Sequence, residues 1–142
     1  MNFEELQDLV EKDLKINDTE LDLESLKTPQ LHNKYLKFLY KYKTLQKHAQ
    51  SDYNRLYKEK WEYYTGKADP QVYQLKPFNL KILKPDVDKY INADMEIIKA
   101  DQKLDYLNNV VDFLDRTVRL ISNRGFTIKN AIDWKKFTSG II

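Results

Sequence analysis

The sequence predicts an all-α fold, in which each elongated protomer is built from long antiparallel helices. Its 142 residues include only 3 glycines and 4 prolines, so few positions interrupt a helix. Two long segments also repeat apolar residues in the alternating three- and four-residue steps of a heptad seam. Because open seams on long helices need partners, we expect these protomers to assemble into a homo-oligomer, as a symmetric closed ring or a bundle.

The first helix is predicted over residues 3–15. Asn2 and Glu5 have the spacing of a capping box, and apolar residues then follow at helical intervals. This opening is acidic, so we expect neither a signal peptide nor a transit peptide. The next segment, residues 19–27, is compatible with a short helix or with an extended strap, because its leucines fit both patterns.

A second, longer helix is predicted from Thr28 to Gly66. Threonine is a good N-cap, Pro29 suits the first helical position, and glycine ends a helix well. The apolar residues of its seam are Leu31, Tyr35, Phe38, Tyr42, Leu45 and Ala49. Such a helix is too long to bury one stripe inside a small monomer, so its seam is expected to face other long helices.

Residues 66–85 form the predicted connector, because three prolines and one glycine fall within them. Its basic, alternating part over 76–84 is predicted to be extended. Pro85 is then predicted to start a third helix, which ends near Asn123 and carries the most regular seam of the chain. A last amphipathic helix is predicted over 127–138.

This third-helix seam is the strongest indication of self-association. The chain is polar for its size, which is typical of a protein that buries more surface in an oligomer. The residues that we assign to oligomerisation are Leu104, Leu107, Val111, Leu114, Val118 and Ile121.

The charge is distributed unevenly along the chain. Residues 1–27 have a net charge of −6, whereas residues 28–65 have a net charge of +5. This asymmetry favours an anionic partner for the middle of the chain. Alternatively, the acidic arm packs against the basic helix of its own or a neighbouring subunit; both interpretations stay open.

The sequence contains none of the patterns that mark common catalytic or metal sites. It has no cysteine and no glycine-rich phosphate loop, and His32 and His48 stand apart without further ligands around them. We therefore predict no enzymatic activity, no metal and no cofactor. No apolar segment approaches the length of a membrane span, and the basic helix lacks a broad aliphatic face opposite its charges, so no membrane partner is expected.

A basic stripe is predicted on the second helix. At 100° per residue, its members fall within roughly 60° of one another, apart from the apolar seam. The stripe consists of Tyr40, Lys43, Lys47 and Lys58, with Arg55 at its edge. Lysines neutralise phosphates and a tyrosine can stack on a base, so the stripe favours nucleic-acid binding. Alternatively, it is the ordinary solvated face of a coiled coil.

Residues 57–66 interleave basic and aromatic side chains and end in Tyr-Tyr-Thr-Gly. Lys58 and Lys60 lie roughly 200° apart on a helix, so one straight helix cannot bring both to one strand. The rings of Trp61, Tyr63 and Tyr64 are either a platform for bases or part of a core or an interface.

This segment resembles a signature of the UvsY-type recombination mediators of T-even-like phages, which reads roughly Leu-Lys-Ala-Arg-Leu-Asp-Tyr-Tyr-Ser-Gly. Two more blocks resemble the family in the same order. The first contains Leu6-Gln7 and Lys12-Asp13, and the second is Asn123-Arg124-Gly125-Phe126-Thr127-Ile128-Lys129. The resemblance thus runs over nearly the whole chain.

The resemblance implies a protein that binds single-stranded DNA without sequence preference, as a ring-like oligomer and without catalysis. Its expected partners are a phage recombinase, which it loads, and the phage single-strand-binding protein that covers the strand. Its expected location is the cytoplasm of the infected bacterial host. The alternative function is that of a protein-only coiled-coil adaptor or assembly factor, which binds no DNA.

The family's basic pair falls on Lys58 and Lys60, and its assembly region falls on about residues 100–140. Here lysine replaces the family's arginine at position 60, and Glu59 replaces its alanine, which adds a negative charge. We add Lys67 to the predicted DNA-binding residues. Within one structural unit, residues 1–84 are the predicted DNA-binding part and 85–142 the predicted oligomerisation part.

Overall fold

The structure, a computed structural model, describes residues 1–140; the last two residues of the predicted oligomerisation part lie outside them. The described chain contains helices and no β-strand, so the predicted all-α class is confirmed. A 3₁₀ turn covers Lys84–Asp86. The helices are α1 (Phe3–Leu14), α2 (Leu21–Tyr64), α3 (Pro70–Leu75), α4 (Val87–Asn92), α5 (Met95–Ser122) and α6 (Arg124–Thr138).

The capping box at the start of α1 is present as predicted. The Glu5 backbone N–H donates to the Asn2 side-chain oxygen at 2.8 Å, and the Asn2 backbone N–H donates to the Glu5 carboxylate at 3.2 Å. Both groups would otherwise be unpaired donors of the first helical turn. The helix ends at Leu14, one residue before the predicted end.

α2 begins at Leu21, and the prediction that Thr28 and Pro29 start it is wrong. Pro29 lies inside this 44-residue helix, although an internal proline costs about 3 kcal/mol. Tertiary packing explains the earlier start, because Leu21 and Glu24 are both buried in the first turn. Of the segment 19–27, for which a short helix and a strap were both considered, residues 21–27 are therefore helical.

The predicted third helix is divided in two. After the 3₁₀ turn, α4 ends at Asn92, and α5 begins afresh at Met95. The Asp94 carboxylate accepts the backbone N–H of Glu96 at 2.9 Å and so caps the new helix. The connector also contains α3. α6 starts at Arg124, and only Asn123, which has helical φ and ψ, separates it from α5.

The chain forms two compact units. Unit 1 consists of Met1–Tyr42 and the chain from Asn109 onward, and unit 2 consists of Lys43–Asn108. The predicted boundary between residues 84 and 85 therefore falls inside unit 2. The assignment of DNA binding to one part and oligomerisation to the other stays a prediction.

Unit 1 has an aliphatic core around one buried tyrosine. The Tyr35 hydroxyl donates to the Asp13 carboxylate at 2.7 Å, and the Lys34 ammonium lies 2.6 Å from the same oxygen. Burial raises the pKa of Asp13, but the hydrogen bonds from Lys34 and Tyr35 outweigh it and hold that pKa below its ordinary value. The buried core residues are Leu6, Val10, Tyr35, Leu39, Val110, Leu114 and Ile121.

A buried ion pair joins α2 to α6 within unit 1. The Arg124 guanidinium lies 2.6 Å from the Glu24 carboxylate, and each side chain is only 4% exposed. Arg124 also donates to the Glu24 backbone carbonyl and to the Thr28 hydroxyl. A hydrogen bond from Lys27, together with Arg124, outweighs burial and holds the pKa of Glu24 below its ordinary value.

Unit 2 is built on the second half of α2. Val87, Ile91 and Ile97 form its buried centre, contributed by α4 and the start of α5. The residues that pack against this centre from α2 and the connector are Tyr53, Leu56, Tyr57, Tyr64 and Ile82. The last turns of α2 are therefore fixed on one side by the unit 2 core.

Candidate nucleic-acid interface

Tyr63 and Tyr64 are half-buried and pack into a cluster of aromatic rings in unit 2. Tyr63 stacks on Tyr73 with ring centroids 5.5 Å apart, and Tyr64 meets Phe78 edge-on at 5.1 Å. The Tyr64 hydroxyl donates to Asp94 at 2.7 Å. Burial and this hydrogen bond raise the pKa of Tyr64. Of the two roles considered for these tyrosines, their ring contacts and half-buried position favour a packing role.

Lys60 is held by two carboxylates at the start of α5. Its ammonium lies 3.2 Å from Asp94 and 3.5 Å from Glu96, and its side chain is 15% exposed. Asp94 is therefore shared between the N-terminus of α5, Tyr64 and Lys60. Because two acids already surround the Lys60 ammonium, a phosphate would have to compete with both of them.

Lys58 has the opposite surroundings. Its side chain is 78% exposed, and its ammonium lies 3.8 Å from Glu62, one turn further along α2. An exposed pair of this kind contributes little stability, so it offers little resistance to an incoming phosphate. Helical geometry places Lys58 and Lys60 roughly 200° apart, on opposite sides of α2. This explains why Lys58 is exposed, whereas Lys60 is engaged with two carboxylates.

The basic stripe continues from Lys58 along the same side of α2. Lys43, Lys47 and Arg55 are all exposed, and Arg55 has only a distant pair with Asp52 at 4.0 Å. At 100° per residue, the positions on this face from Lys43 to Trp61 contain no acid, and the first acid on it is Glu62, the partner of Lys58, at the end of the helix. They are Lys43, Thr44, Lys47, Gln50, Ser51, Asn54, Arg55, Lys58 and Trp61. Tyr40, the predicted stacking residue, is exposed and lies on the unit 1 part of the helix.

The end of α2 brings Lys67 over Trp61. Gly66 has a φ of +76°, which favours glycine, and it reverses the chain direction. The Lys67 backbone N–H donates to the Glu62 carbonyl at 2.8 Å, and the Gly66 N–H donates to the Tyr63 carbonyl at 3.3 Å. These two bonds form a Schellman motif. The Lys67 ammonium then lies 4.4 Å from the centroid of the Trp61 ring, which is 38% exposed.

The residues assigned to oligomerisation lie inside the single chain. Leu114 and Ile121 are fully buried in the unit 1 core, and Val111 and Val118 pack against that core. Leu104 and Leu107 are buried as well. A heptad seam has the same pattern whether its partner is the same chain or another copy. The seam is thus explained without a second copy, and its role in assembly stays a prediction.

Exposed apolar side chains are instead found on α6 and near its start. Phe126, Trp134 and Phe137 are each at least 60% exposed, and the last two rings stack with centroids 5.7 Å apart. Leu120, near the end of α5, is 61% exposed. Single residues elsewhere, such as Leu75 and Met95, are equally exposed, but the stacked pair of Trp134 and Phe137 makes α6 a candidate surface for another protein.

Among residues 1–140, no group of acidic, histidine or cysteine side chains is arranged to hold a metal ion. Within the same residues, no helix is both long and apolar enough to cross a membrane.

Sequence reasoning missed two features of this region. One is the pairing of Lys60 with Asp94 and Glu96, which depends on the break between α4 and α5; the Asn-Ala-Asp segment before Met95 was its only signal. The other is the position of Lys81 and Lys84, which line a cleft together with Lys67. The basic, alternating pattern of 76–84 was the available signal for that cleft.

An all-helical chain that presents an acid-free basic face on a long helix has the features of a nucleic-acid-binding protein. Residues 9–141 match the family model described as the recombination, repair and ssDNA binding protein UvsY. The chain therefore belongs to the UvsY family, and the resemblance inferred from its three sequence blocks is confirmed.

Individual relatives agree with this assignment. The chain is 26% identical over 140 residues to the recombination protein uvsY of Enterobacteria phage T4, and the match covers 99% of each chain. One crystal structure of the bacteriophage T4 recombination mediator protein UvsY (lattice type II) aligns with a TM-score of 0.86 at 26% identity, over 98% of both chains. Another (lattice type IV) aligns with a TM-score of 0.85 at 26% identity, over 96% of this chain and 99% of that one.

Proposed function

We propose that this chain is a recombination mediator that binds single-stranded DNA without sequence preference and loads a recombinase onto strands covered by single-strand-binding protein. Membership of the UvsY family supports this proposal most strongly. The acid-free basic face of α2 supports it independently, because a row of exposed cations is what a polyphosphate strand requires. Lysines contact phosphates rather than base edges, so no sequence preference is expected.

The proposed phosphate contacts within unit 2 are the exposed cations Lys43, Lys47, Arg55, Lys58 and Lys67. Tyr40 is proposed to stack on a base independently of them. Lys60 remains in the proposed site with an indirect role, since its ammonium holds Asp94 and Glu96 and so fixes the last turns of α2.

We further propose that the protein acts as a ring-like homo-oligomer without catalytic activity of its own. Each subunit offers only a few exposed cations, so binding by one copy would be weak, and several copies on one strand would multiply the effect. The third-helix seam stays a proposed assembly region, and the exposed rings of α6 are a further proposed contact surface. The recombinase and the single-strand-binding protein are its proposed protein partners, and the cytoplasm of the infected host is its proposed location.

The proposal is tested by titrating fluorescent oligo-dT and a mixed-sequence oligonucleotide with the protein over a salt series. Light scattering on the same samples gives the mass relative to the 17.0 kDa protomer. We expect similar affinities for both strands and a log–log salt slope of about −0.7 per phosphate contact. Lys58→Ala should reduce the slope by about 0.7 per subunit bound, whereas Lys103→Ala, an exposed lysine outside the stripe, should not change it.

An oligomer that binds neither strand even at low salt would contradict the proposal and favour the protein-only adaptor. A strong preference for one base composition would contradict binding through phosphates alone.

A further inference from the structure

A cleft of about 820 Å³ lies within unit 2, between the end of α2 and the connector. Its volume falls within the range of about 300–1,000 Å³ that is usual for ligand sites. Apolar side chains from both segments form its walls. The residues that matter here are Trp61, Lys67, Phe78, Leu80, Lys81 and Lys84.

The charge of this cleft is uniformly positive. Three lysines are among its lining residues, and none of those residues is acidic. Lys81 and Lys84 are exposed, and neither forms an ion pair within the described part of the chain. Lys67 also lines an adjoining cavity with Glu59, Glu62 and Asp69, so the acid-free part of the cleft is the side formed by Lys81 and Lys84. A cleft whose charged lining residues are all lysines is complementary to an anion.

One aromatic ring in the cleft remains accessible. Trp61 is 38% exposed, whereas Tyr64 and Phe78 are engaged with each other in the ring cluster of unit 2. The Lys67 ammonium lies over one face of the Trp61 ring, 4.4 Å from its centroid, so a base would stack on the other face or take the place of the ammonium. An unpaired nucleotide has both matching groups, a flat base and a phosphate, whereas an acidic peptide has only the negative charge.

We propose that this cleft holds an unstacked base of single-stranded DNA against Trp61, while Lys67, Lys81 and Lys84 bind the flanking phosphates. This inference rests on the proposed function and specifies where in unit 2 the strand is gripped. Trp61 lies on the same acid-free face of α2 as Lys47 and Lys58, so a strand on that face reaches the cleft without winding around the helix.

The experiment uses the full-length Trp134→Phe variant, in which Trp61 is the only one of the chain's 2 tryptophans that remains. Titration with oligo-dT should quench Trp61 emission in parallel with binding, because a stacked base quenches indole. In this background, a Lys81→Ala, Lys84→Ala double variant should lose about 1.4 units of salt slope per bound subunit. The matched control is a Lys99→Ala, Lys103→Ala double variant, which removes two exposed lysines of unit 2 outside the cleft.

Stacking is tested separately by changing the ring. In a protein that keeps Trp134, Trp61→Leu should weaken oligo-dT binding by about 5- to 150-fold, and Trp61→Phe should retain most of the affinity. Circular dichroism and thermal melting verify that each variant is folded. If Trp61→Leu does not fold, the change in Trp61 emission and the salt slopes of the lysine variants still show whether the strand enters the cleft.

Binding of oligo-dT with unchanged Trp61 emission and an unchanged salt slope in the Lys81/Lys84 variant would overturn the cleft while the proposed function stands. Absence of oligo-dT binding at every salt concentration would overturn the proposed function itself. Poly-glutamate that quenches Trp61 and binds as tightly as oligo-dT would overturn the nucleotide assignment and indicate an acidic peptide instead.

Discussion

Replacing Lys60 with methionine separates a structural role from a DNA contact at this position. Methionine keeps the apolar stem and removes the ammonium that lies 3.2 Å from Asp94 and 3.5 Å from Glu96. Asp94, whose side chain is only 10% exposed, would keep its hydrogen bonds from Tyr64 and Glu96 and lose its nearest positive charge.

The expected loss of stability lies between two known limits. Breaking a fully buried ion pair costs about 3–5 kcal/mol, and an exposed pair contributes about 0.2–1 kcal/mol. Lys60 and Asp94 are 15% and 10% exposed, and two hydrogen bonds to Asp94 remain, so we expect a loss of about 1–3 kcal/mol. Lys58→Met, which breaks only an exposed pair at 3.8 Å, should cost less than about 0.5 kcal/mol.

The loss should also depend on pH. Burial raises the pKa of Asp94, but the Tyr64 hydroxyl, the Glu96 N–H and Lys60 outweigh it, so the folded pKa lies below its ordinary value. A carboxyl with a depressed folded pKa contributes stability above its unfolded pKa, and this contribution is lost as the pH falls through the folded pKa. The difference between wild type and Lys60→Met should therefore be full near neutral pH and shrink below about pH 4.

Urea unfolding followed by Trp61 fluorescence in the Trp134→Phe background reports on unit 2, where Trp61 lies. All variants are compared at the same protein concentration, because assembly affects apparent stability. Lys60→Met with unchanged stability and a salt slope for oligo-dT reduced as much as in Lys58→Met would refute the structural role and make Lys60 a direct phosphate contact.

Three further changes test other parts of the structure. Arg124→Ala should lower the free energy of unfolding of unit 1 by about 2–4 kcal/mol, because the buried Glu24 carboxylate then keeps only its ion pair with Lys27. Urea unfolding with Trp134 fluorescence in a Trp61→Phe background measures this, and a loss below about 1 kcal/mol would contradict it. Gly66→Ala should destabilise unit 2 by about 1–2 kcal/mol, because Gly66 has a φ of +76°. Gly125→Ala should stabilise unit 1 by about 0.5–1 kcal/mol, because Gly125 lies inside α6 and a Cβ there meets open space. Melting temperatures of the two variants that shift in the same direction would contradict the assigned conformations. Trp134→Asp should reduce the oligomer mass in light scattering without lowering helix content, and a variant of full mass would exclude this ring from the subunit contact.

The sequence predicted best where local chemistry decides the structure. The capping box of α1 and the stop signal for α2 at Gly66, two residues after its end, follow from side chains and φ preferences within one helical turn, and both were predicted. The start of α2 was predicted wrongly, since burial of Leu21 and Glu24 outweighs a strong local signal at Pro29. Tertiary contacts of this kind leave no trace in a local pattern.

The same distinction applies to the candidate site. Helical geometry was sufficient to place Lys43, Lys47 and Lys58 on one exposed face. It was insufficient for Lys60, because the two acids that surround its ammonium come from residues 94 and 96. Periodicity likewise identified the third-helix seam but carried no information on which chain would cover it.

The acid-free face of α2 also has a kinetic consequence. Between Lys47 and Lys58 it presents the neutral side chains of Gln50, Ser51 and Asn54, with Arg55 at its edge, and its lysine ammonium groups bind without a fixed direction. Along the lysines, a strand can shift by one phosphate without passing a repelling charge, and only Arg55 offers a directional bond. The energy profile along the helix would then be shallow, so bound DNA would slide and exchange rapidly and remain available for transfer to another protein.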